Sequence, residues 1–312
     1  MTVIAVAGGT GGIGRTVIEA LVQQSKLQVI VFTRGQPKSD PVLDKTSQVQ
    51  VIYDDITSLT QTLVQYDVHT VISAIGILSD ETAESQLNLI EAADRSPATK
   101  RFMPSEYSFI QTKNLLPIDP SIKYWLEAAE LLAKTKLQYT RVIPGFFMDY
   151  WGMPVVRTNL QPFTFGIDIA SCQAAIPGDG NDVLCMTYTY DMAAYIVRLL
   201  DEEKWPEFSI MVGDQITYNQ LLQLAEQIRG RKFQVVYDSA EKIKEGNVTV
   251  PPMPAETGYT IEEFKETTAL VSRLTIAGVF NLPAEDRLNA RFPEIETTKI
   301  KDFLHNAWKD FS

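Results

Sequence analysis

Residues Met1–Arg15 read MTVIAVAGGTGGIGR. Within them Val3 to Ala7 is a run of small and β-branched apolar residues, the pattern of a strand buried on both faces of a parallel sheet. Gly8, Gly11 and Gly14 follow at every third position, and Arg15 to Leu21 continues with helical character. Strand, glycine-rich turn and helix together are the context in which a dinucleotide fingerprint carries weight. The glycines answer separate needs: a tight turn, close approach of backbone to a pyrophosphate, and close packing of helix on strand. Between them Thr10, Gly12 and Ile13 sit at the helix start, where free N–H groups stabilise an anion. A tight turn with no ligand is the alternative for this motif taken singly. The strand at Leu27–Thr33 completes a strand–turn–helix–strand unit and favours the nucleotide.

That second strand, LQVIVFT, ends at Thr33-Arg34. An acidic residue about 20 positions past the glycines would bind the ribose hydroxyls of NAD. Here Arg34 stands 20 residues after Gly14. A guanidinium suits a 2′-phosphate, so NADPH is expected over NADH, with a solvated surface arginine as the alternative. Val49–Tyr53 reads as the third strand and Asp54-Asp55 as its polar exit, which places Asp55 near the adenine. Ser58-Leu-Thr-Gln61 has the form of a capping box. His69–Ile75 is the fourth strand, with Ala74, Ile75 and Gly76 beside the cofactor's phosphates and ribose. Glu81–Asp94 is helical, Arg101–Pro104 a short fifth strand, and Glu106–Pro120 a loop. Ser121–Lys134 is a helix with Trp125, Leu126, Ala129, Leu132 and Ala133 on one face, and Leu137–Ile143 is the sixth strand. Strands alternating with helices predict an α/β fold, a doubly wound parallel sheet of the Rossmann type.

Past that strand, Gly145-Phe-Phe-Met-Asp-Tyr-Trp-Gly152 leaves the carboxyl edge of the sheet, where ligands bind. It reads equally as aromatic core or as the wall of a pocket for a flat apolar substrate. Further on, Asp191 is expected to cap a helix over Met192–Leu200, and Phe208–Val212 to form a strand. Thr217-Tyr-Asn-Gln220 and Thr260-Ile-Glu-Glu263 are capping boxes. The expected domains are an NADP-binding Rossmann domain over 1–150 and a smaller α+β substrate-side domain over 151–312. Within the latter, roughly 186–214 is expected to return and pack on the Rossmann sheet.

With 28 Lys and Arg against 39 Asp and Glu, the net charge of -11 argues against nucleic acid and anionic membranes as partners. No apolar run approaches the length of a membrane span. Cys172 and Cys185 have no metal or redox spacing, and His69 and His305 lie far apart, so no metal site is expected. A chain that opens on its first core strand leaves no room for a signal peptide, and a cytoplasmic protein is expected.

The chain resembles the isoflavone-reductase-like and NmrA-like group of atypical short-chain dehydrogenases/reductases. The resemblance rests on Gly8-Gly-Thr-Gly-Gly-Ile-Gly14, on Thr33-Arg34, and on Arg101-Phe-Met-Pro-Ser-Glu-Tyr107, similar to the family's RFxPSEF signature. Leu137-Gln-Tyr-Thr140 with Gly145-Phe-Phe147, and Ile216-Thr-Tyr-Asn-Gln-Leu221, extend it over about residues 1 to 230. It implies an NADPH-dependent reductase with a two-lobed cleft. Gly8–Gly14 would bind the pyrophosphate and Arg34 the 2′-phosphate, while Pro104 and Ser105 on one side and Gly145 and Phe146 on the other would flank the nicotinamide. The reductase branch also uses a lysine on the helix before the sixth strand. Here Trp125 stands in that place and Lys123 two residues earlier, about 200° around a helix. Lys123 is therefore the candidate proton donor or ribose anchor, with a solvated lysine as the alternative. No Tyr-x-x-x-Lys pair occurs. Tyr107 and Tyr124 are phenols that would serve as donors, or else pack.

The expected activity is hydride transfer from NADPH to a carbonyl, enone, imine or benzylic carbon of a small apolar or aromatic substrate, with a homodimer left open as the assembly. Two alternatives remain: an NmrA-like NADP-sensing regulator without turnover, and a non-redox cyclase or isomerase on the same fold.

Overall fold

Five of the six residues of the first strand are buried, because a parallel strand covered by helices on both faces has no wet side. The computed structural model describes residues 1–311. They divide into two compact units, the first formed by Met1–Tyr107, Gln111–Ile143 and Ala193–Ser209. It runs β1 (Thr2–Ala7), α1 (Gly12–Leu21), β2 (Leu27–Thr33), β3 (Ser47–Gln50), α2 (Ile56–Gln65), β4 (Thr70–Ser73), α3 (Asp80–Arg95), β5 (Arg101–Met103), α4 (Lys123–Leu132), β6 (Gln138–Tyr139) and β7 (Arg141–Ile143). The six-stranded sheet has the order β3-β2-β1-β4-β5-β6, every neighbouring pair parallel. Alternation along β1 serves both faces. Val3, Ala5 and Ala7 join Leu59, Leu63, Leu89 and Ile90 of α2 and α3 in one core, while Gly9 lies against Ile18 of α1, Val31 and Val6 on the other side. The strand order reverses between β1 and β4. In a doubly wound sheet this switch point is where ligands bind.

Several boundaries differ from the sequence expectation for physical reasons. The third strand is Ser47–Gln50, because its ladder ends where β2 ends, at the pair Thr33↔Gln50. Val51 and Tyr53 are buried beyond it as loop side chains. Ser58 does not open α2. The Asp55 carboxylate accepts the Ser58 N–H at 2.9 Å and is itself the cap. The sixth strand divides at Thr140, whose hydroxyl pairs with that of Ser209 at 2.7 Å. β6 stays on β5, whereas β7 pairs with the strand opening at Phe208. A tight turn over Pro120–Ile122, capped by Asp119, precedes α4. Of the expected face of α4, Leu132 is buried and Trp125, Leu126 and Ala129 are half-buried, whereas Ala133 is exposed and Ala128 is buried in its stead.

The second unit comprises Ser108–Ile110, Pro144–Met192 and the chain from Ile210 onward. Its elements are β8 (Phe146–Phe147), β9 (Ile167–Asp168), β10 (Gln173–Pro177), β11 (Val183–Thr187), the start of α5 (Thr189–Leu199), the end of β12 (Phe208–Ile210), β13 (Asp214–Thr217), α6 (Tyr218–Arg229), β14 (Gln234–Asp238), α7 (Ala240–Lys244), α8 (Ile261–Ile276), α9 (Leu288–Arg291) and α10 (Ile300–Trp308). Two three-stranded sheets, β14-β10-β9 and β13-β11-β8, organise it. The capping boxes at Thr217 and Thr260 form as expected. Asp191 does not cap α5. The helix starts at Thr189, whose N–H is received by the buried Asp149 carboxylate at 3.0 Å, while Asp191 accepts the Thr298 N–H at 2.7 Å. Among the described residues no helix is long and apolar enough to cross a membrane.

Candidate functional site

Two of the glycines after β1, Gly8 and Gly14, lie against backbone, not against side chains. A Cβ on Gly8, whose φ is +75°, would lie 2.3 Å from the Ala74 carbonyl oxygen, and one on Gly14 would lie 2.4 Å from the Gly8 carbonyl oxygen. The turns leaving β1 and β4 thus touch main chain to main chain, and the Ala74 N–H donates to the Ala7 carbonyl at 2.8 Å. Gly11 differs: nothing lies within 4 Å of a Cβ built there. It is the extended N-cap of α1, no side chain caps the helix, and its first turn holds no acidic residue. By contrast α2, α3, α6 and α8 are each capped by a side chain. The uncapped N–H groups and the helix dipole at Gly12–Gly14 are the features that favour an anion at a helix start. Thr10 and Gly11 are exposed there, and Gly12 and Ile13 half-buried.

Ala74, Ile75 and Gly76 lie at the same switch point, the first two half-buried and Gly76 exposed. Just before them the buried Ser73 Oγ has no hydrogen-bond partner among the described residues. The end of β2 presents Thr33, whose hydroxyl donates to the Gly35 carbonyl at 2.7 Å, and then the exposed Arg34. Among the described residues the Arg34 guanidinium has no hydrogen bond or ion pair. Its carbonyl accepts from Gln50 at 3.1 Å. Asp55 spends its carboxylate on the α2 cap.

The segment after β5 is fixed on three sides. Ser105 N–H donates to Gln86 Oε1 at 2.7 Å, and the Trp125 indole donates to the Ser105 carbonyl at 2.8 Å. Trp125, in the place of the expected lysine, thereby ties α4 to Pro104-Ser105. Glu106 and Arg141 form a two-pronged ion pair at 2.6 and 2.7 Å, their side chains 2% and 5% exposed. Tyr107 adopts φ 34°, is buried, and donates its hydroxyl to the Ser73 carbonyl at 2.8 Å; burial raises its pKa strongly. Lys123 is exposed at the first turn of α4, its Nζ 3.1 Å from the Asp80 carboxylate, which also accepts from Tyr124 at 2.7 Å. The carboxylate keeps Lys123 protonated by raising its pKa. Lys123 and Tyr107 therefore have different partners, one a surface carboxylate and the other a core carbonyl.

Gly145 and Phe146 belong to the second unit. Gly145 has φ +73° against the Cys185 carbonyl, and Phe146 packs on Tyr150, Trp151, Phe165 and Phe280. Core and pocket wall are continuous here. Tyr150 and Trp151 also line a cavity of about 350 Å³ with Phe163, Ile167, Met253 and Trp308. The indoles of Trp151 and Trp308 donate to the Phe165 and Trp151 carbonyls at 3.0 and 2.7 Å, and Thr164 donates to the Pro252 carbonyl at 2.9 Å. The Tyr150 hydroxyl has no such partner among the described residues, and burial keeps it protonated. Tyr107 and Tyr124 are the phenols that the sequence offers as donors, whereas Tyr150 stands inside the aromatic stretch Gly145–Gly152 with no local signal to set it apart.

The NmrA-like family model matches residues 1–294. The chain is 33% identical to the oxidoreductase swnN of Metarhizium robertsii, over 99% of this chain and 98% of that protein. It is likewise 33% identical to the oxidoreductase BOA1 of Botryotinia fuckeliana, over 95% and 96%. In fold it is similar to the leucoanthocyanidin reductase of Vitis vinifera, solved as a binary complex with NADPH, with a TM-score of 0.76 at 18% identity over 98% and 99% of the two chains.

Proposed function

From the premise that this chain belongs to the NmrA-like family, we propose that it is an NADPH-dependent reductase acting on a small apolar or aromatic substrate at a carbonyl, enone, imine or benzylic carbon. The observation that carries the cofactor is the uncapped start of α1, backed onto the β4 turn by glycines whose positions admit no side chain. The oxidoreductase names of swnN and BOA1 support the reaction class, and the NADPH complex of a reductase with this fold supports the cofactor. The exposed Arg34 and the orphaned Ser73 Oγ fit a phosphorylated dinucleotide at the switch point.

NADPH bound there supplies hydride. The N–H groups of Gly12–Gly14 neutralise the pyrophosphate, and Arg34 takes the 2′-phosphate. Gln86 and Trp125 hold Pro104-Ser105 rigid, which lowers the entropy cost of orienting a bound ring. The aromatic cavity within the second unit suits a flat apolar molecule, with the Tyr150 hydroxyl as donor to one polar substituent. Lys123 enters the chemistry by exchanging Asp80 for the reacting oxygen or the ribose. Tyr107 shapes the site through its bond to β4.

Calorimetric titration with NADPH and NADH tests the cofactor, and loss of NADPH absorbance over a carbonyl and alkene panel tests turnover. Tight NADPH binding with no turnover across the panel would overturn the reductase reading. It would favour a second one, an NADP-sensing regulator, which the internal engagement of both Lys123 and Tyr107 supports. Product formed equally without NADPH would point to non-redox catalysis.

A further inference from the structure

Asp40 lies on the segment that follows β2, where a carboxylate would repel a 2′-phosphate and favour the free ribose diol of NADH. Its charge is accounted for. Arg15, one residue past the last glycine of the loop, grips it with two parallel bonds, Nη1 to Oδ2 at 2.7 Å and Nη2 to Oδ1 at 2.8 Å. Arg15 is in turn occupied by Glu19 at 3.2 Å. Asp40 Oδ1 also accepts the N–H groups of Val42 and Leu43 at 2.8 and 3.0 Å, and Leu43 is buried in the core. On the other flank the Gln48 amide bonds both the N–H and the carbonyl of Lys38, at 2.9 and 2.5 Å, and Gln50 holds the Arg34 carbonyl. The backbone is pinned at five places along 34–43. The Arg34 and Lys38 side chains are exposed and without hydrogen-bond or ion-pair partners among the described residues.

We propose that the Arg15–Asp40 pair is a positioning latch: it neutralises the one acidic side chain of the 34–43 segment and fixes that segment so that Arg34 and Lys38 receive a ribose 2′-phosphate, selecting NADPH over NADH. The latch rests on the reading of Arg34 as the 2′-phosphate ligand. A forked guanidinium–carboxylate bond is geometrically specific as well as strong. Arg15 holds Asp40 well below the ordinary carboxylate range, so the pair stays charged through mildly acidic pH.

The test is calorimetric binding of NADPH and of NADH to the wild type, Asp40→Asn, Arg15→Met, Arg15→Met/Asp40→Asn and Arg34→Ala, with melting curves on each. Arg15→Met exposes the Asp40 charge and is expected to weaken NADPH about ten-fold while moving NADH less than about two-fold. Asp40→Asn weakens NADPH less, and in the double variant it restores part of what Arg15→Met loses. Should Arg15→Met melt too early to titrate, Asp40→Asn at its half-exposed position carries the comparison. Equal losses for both cofactors, or no recovery in the double variant, would show a merely structural pair and overturn the latch. An unchanged NADPH preference in the Asp40 and Arg15 variants, with Arg34→Ala abolishing it, removes the latch alone. If Arg34→Ala leaves the preference intact, the 2′-phosphate reading and the latch fall together.

Discussion

An alanine at Gly14 would place its Cβ 2.4 Å from the Gly8 carbonyl oxygen and 2.9 Å from the Gly9 Cα, backbone atoms with no flexible side chain to yield. Gly14→Ala is expected to cost about 1–3 kcal/mol or more in urea unfolding and to abolish NADPH binding. Gly11→Ala meets nothing within 4 Å and keeps an extended backbone. It should leave stability within about 1 kcal/mol yet weaken NADPH, because the new methyl occupies the approach of the pyrophosphate. The pair separates the two uses of glycine by experiment. Asp149 gives a pH prediction at the same scale. Burial pushes its carboxyl up to about 6, against the bonds from Thr189 and Thr158. The folded state therefore holds this proton more tightly than the unfolded chain. The associated stability is present below the ordinary aspartate range and is lost as pH rises through about 6. Urea unfolding between about pH 4 and 7 should show that loss in the wild type and not in Asp149→Asn.

Elements were legible where their determinants are local. Thr217 with Gln220 and Thr260 with Glu263 each cap a helix from within its own first turn, so four consecutive residues suffice to read them. The start of α5 was not legible, because its N–H is received by Asp149, 40 residues away in sequence. The sixth strand broke for the same reason. Thr140 and Arg141 bond to Ser209 and Glu207, and no periodicity within Leu137–Ile143 reports that. The Glu106–Arg141 pair belongs to this scale too, since it joins the segment after β5 to β7. Arg141→Met would leave Glu106 as a buried uncompensated carboxylate, an expected loss of about 3–5 kcal/mol. Combining it with Glu106→Gln should recover most of that, measured by urea unfolding of both single variants and the double.

For the whole molecule, a ligand that binds the folded first unit must stabilise it by mass action. NADPH at about 100 times its dissociation constant should add about 2.7 kcal/mol. The shift should appear in thermal unfolding and shrink in Arg34→Ala at the same NADPH concentration. Hydrogen exchange should concentrate the protection in the turns after β1 and β4. The sequence by itself determined the doubly wound order of strands and helices, the glycine turn, the candidate phosphate ligands and the family. These depend on hydrophobic period and on backbone conformations that only glycine tolerates, both written within a few residues of each other. Only the tertiary structure decided what the polar side chains do. It engaged Tyr107 with the carbonyl of Ser73, Lys123 with Asp80 and Asp40 with Arg15, and it left the Tyr150 hydroxyl without a hydrogen bond among the described residues, lining an apolar cavity. A hydroxyl, an ammonium or a carboxylate takes whichever partner the packed chain brings within hydrogen-bond reach, and that partner is set by the packing of distant segments, which no local pattern encodes.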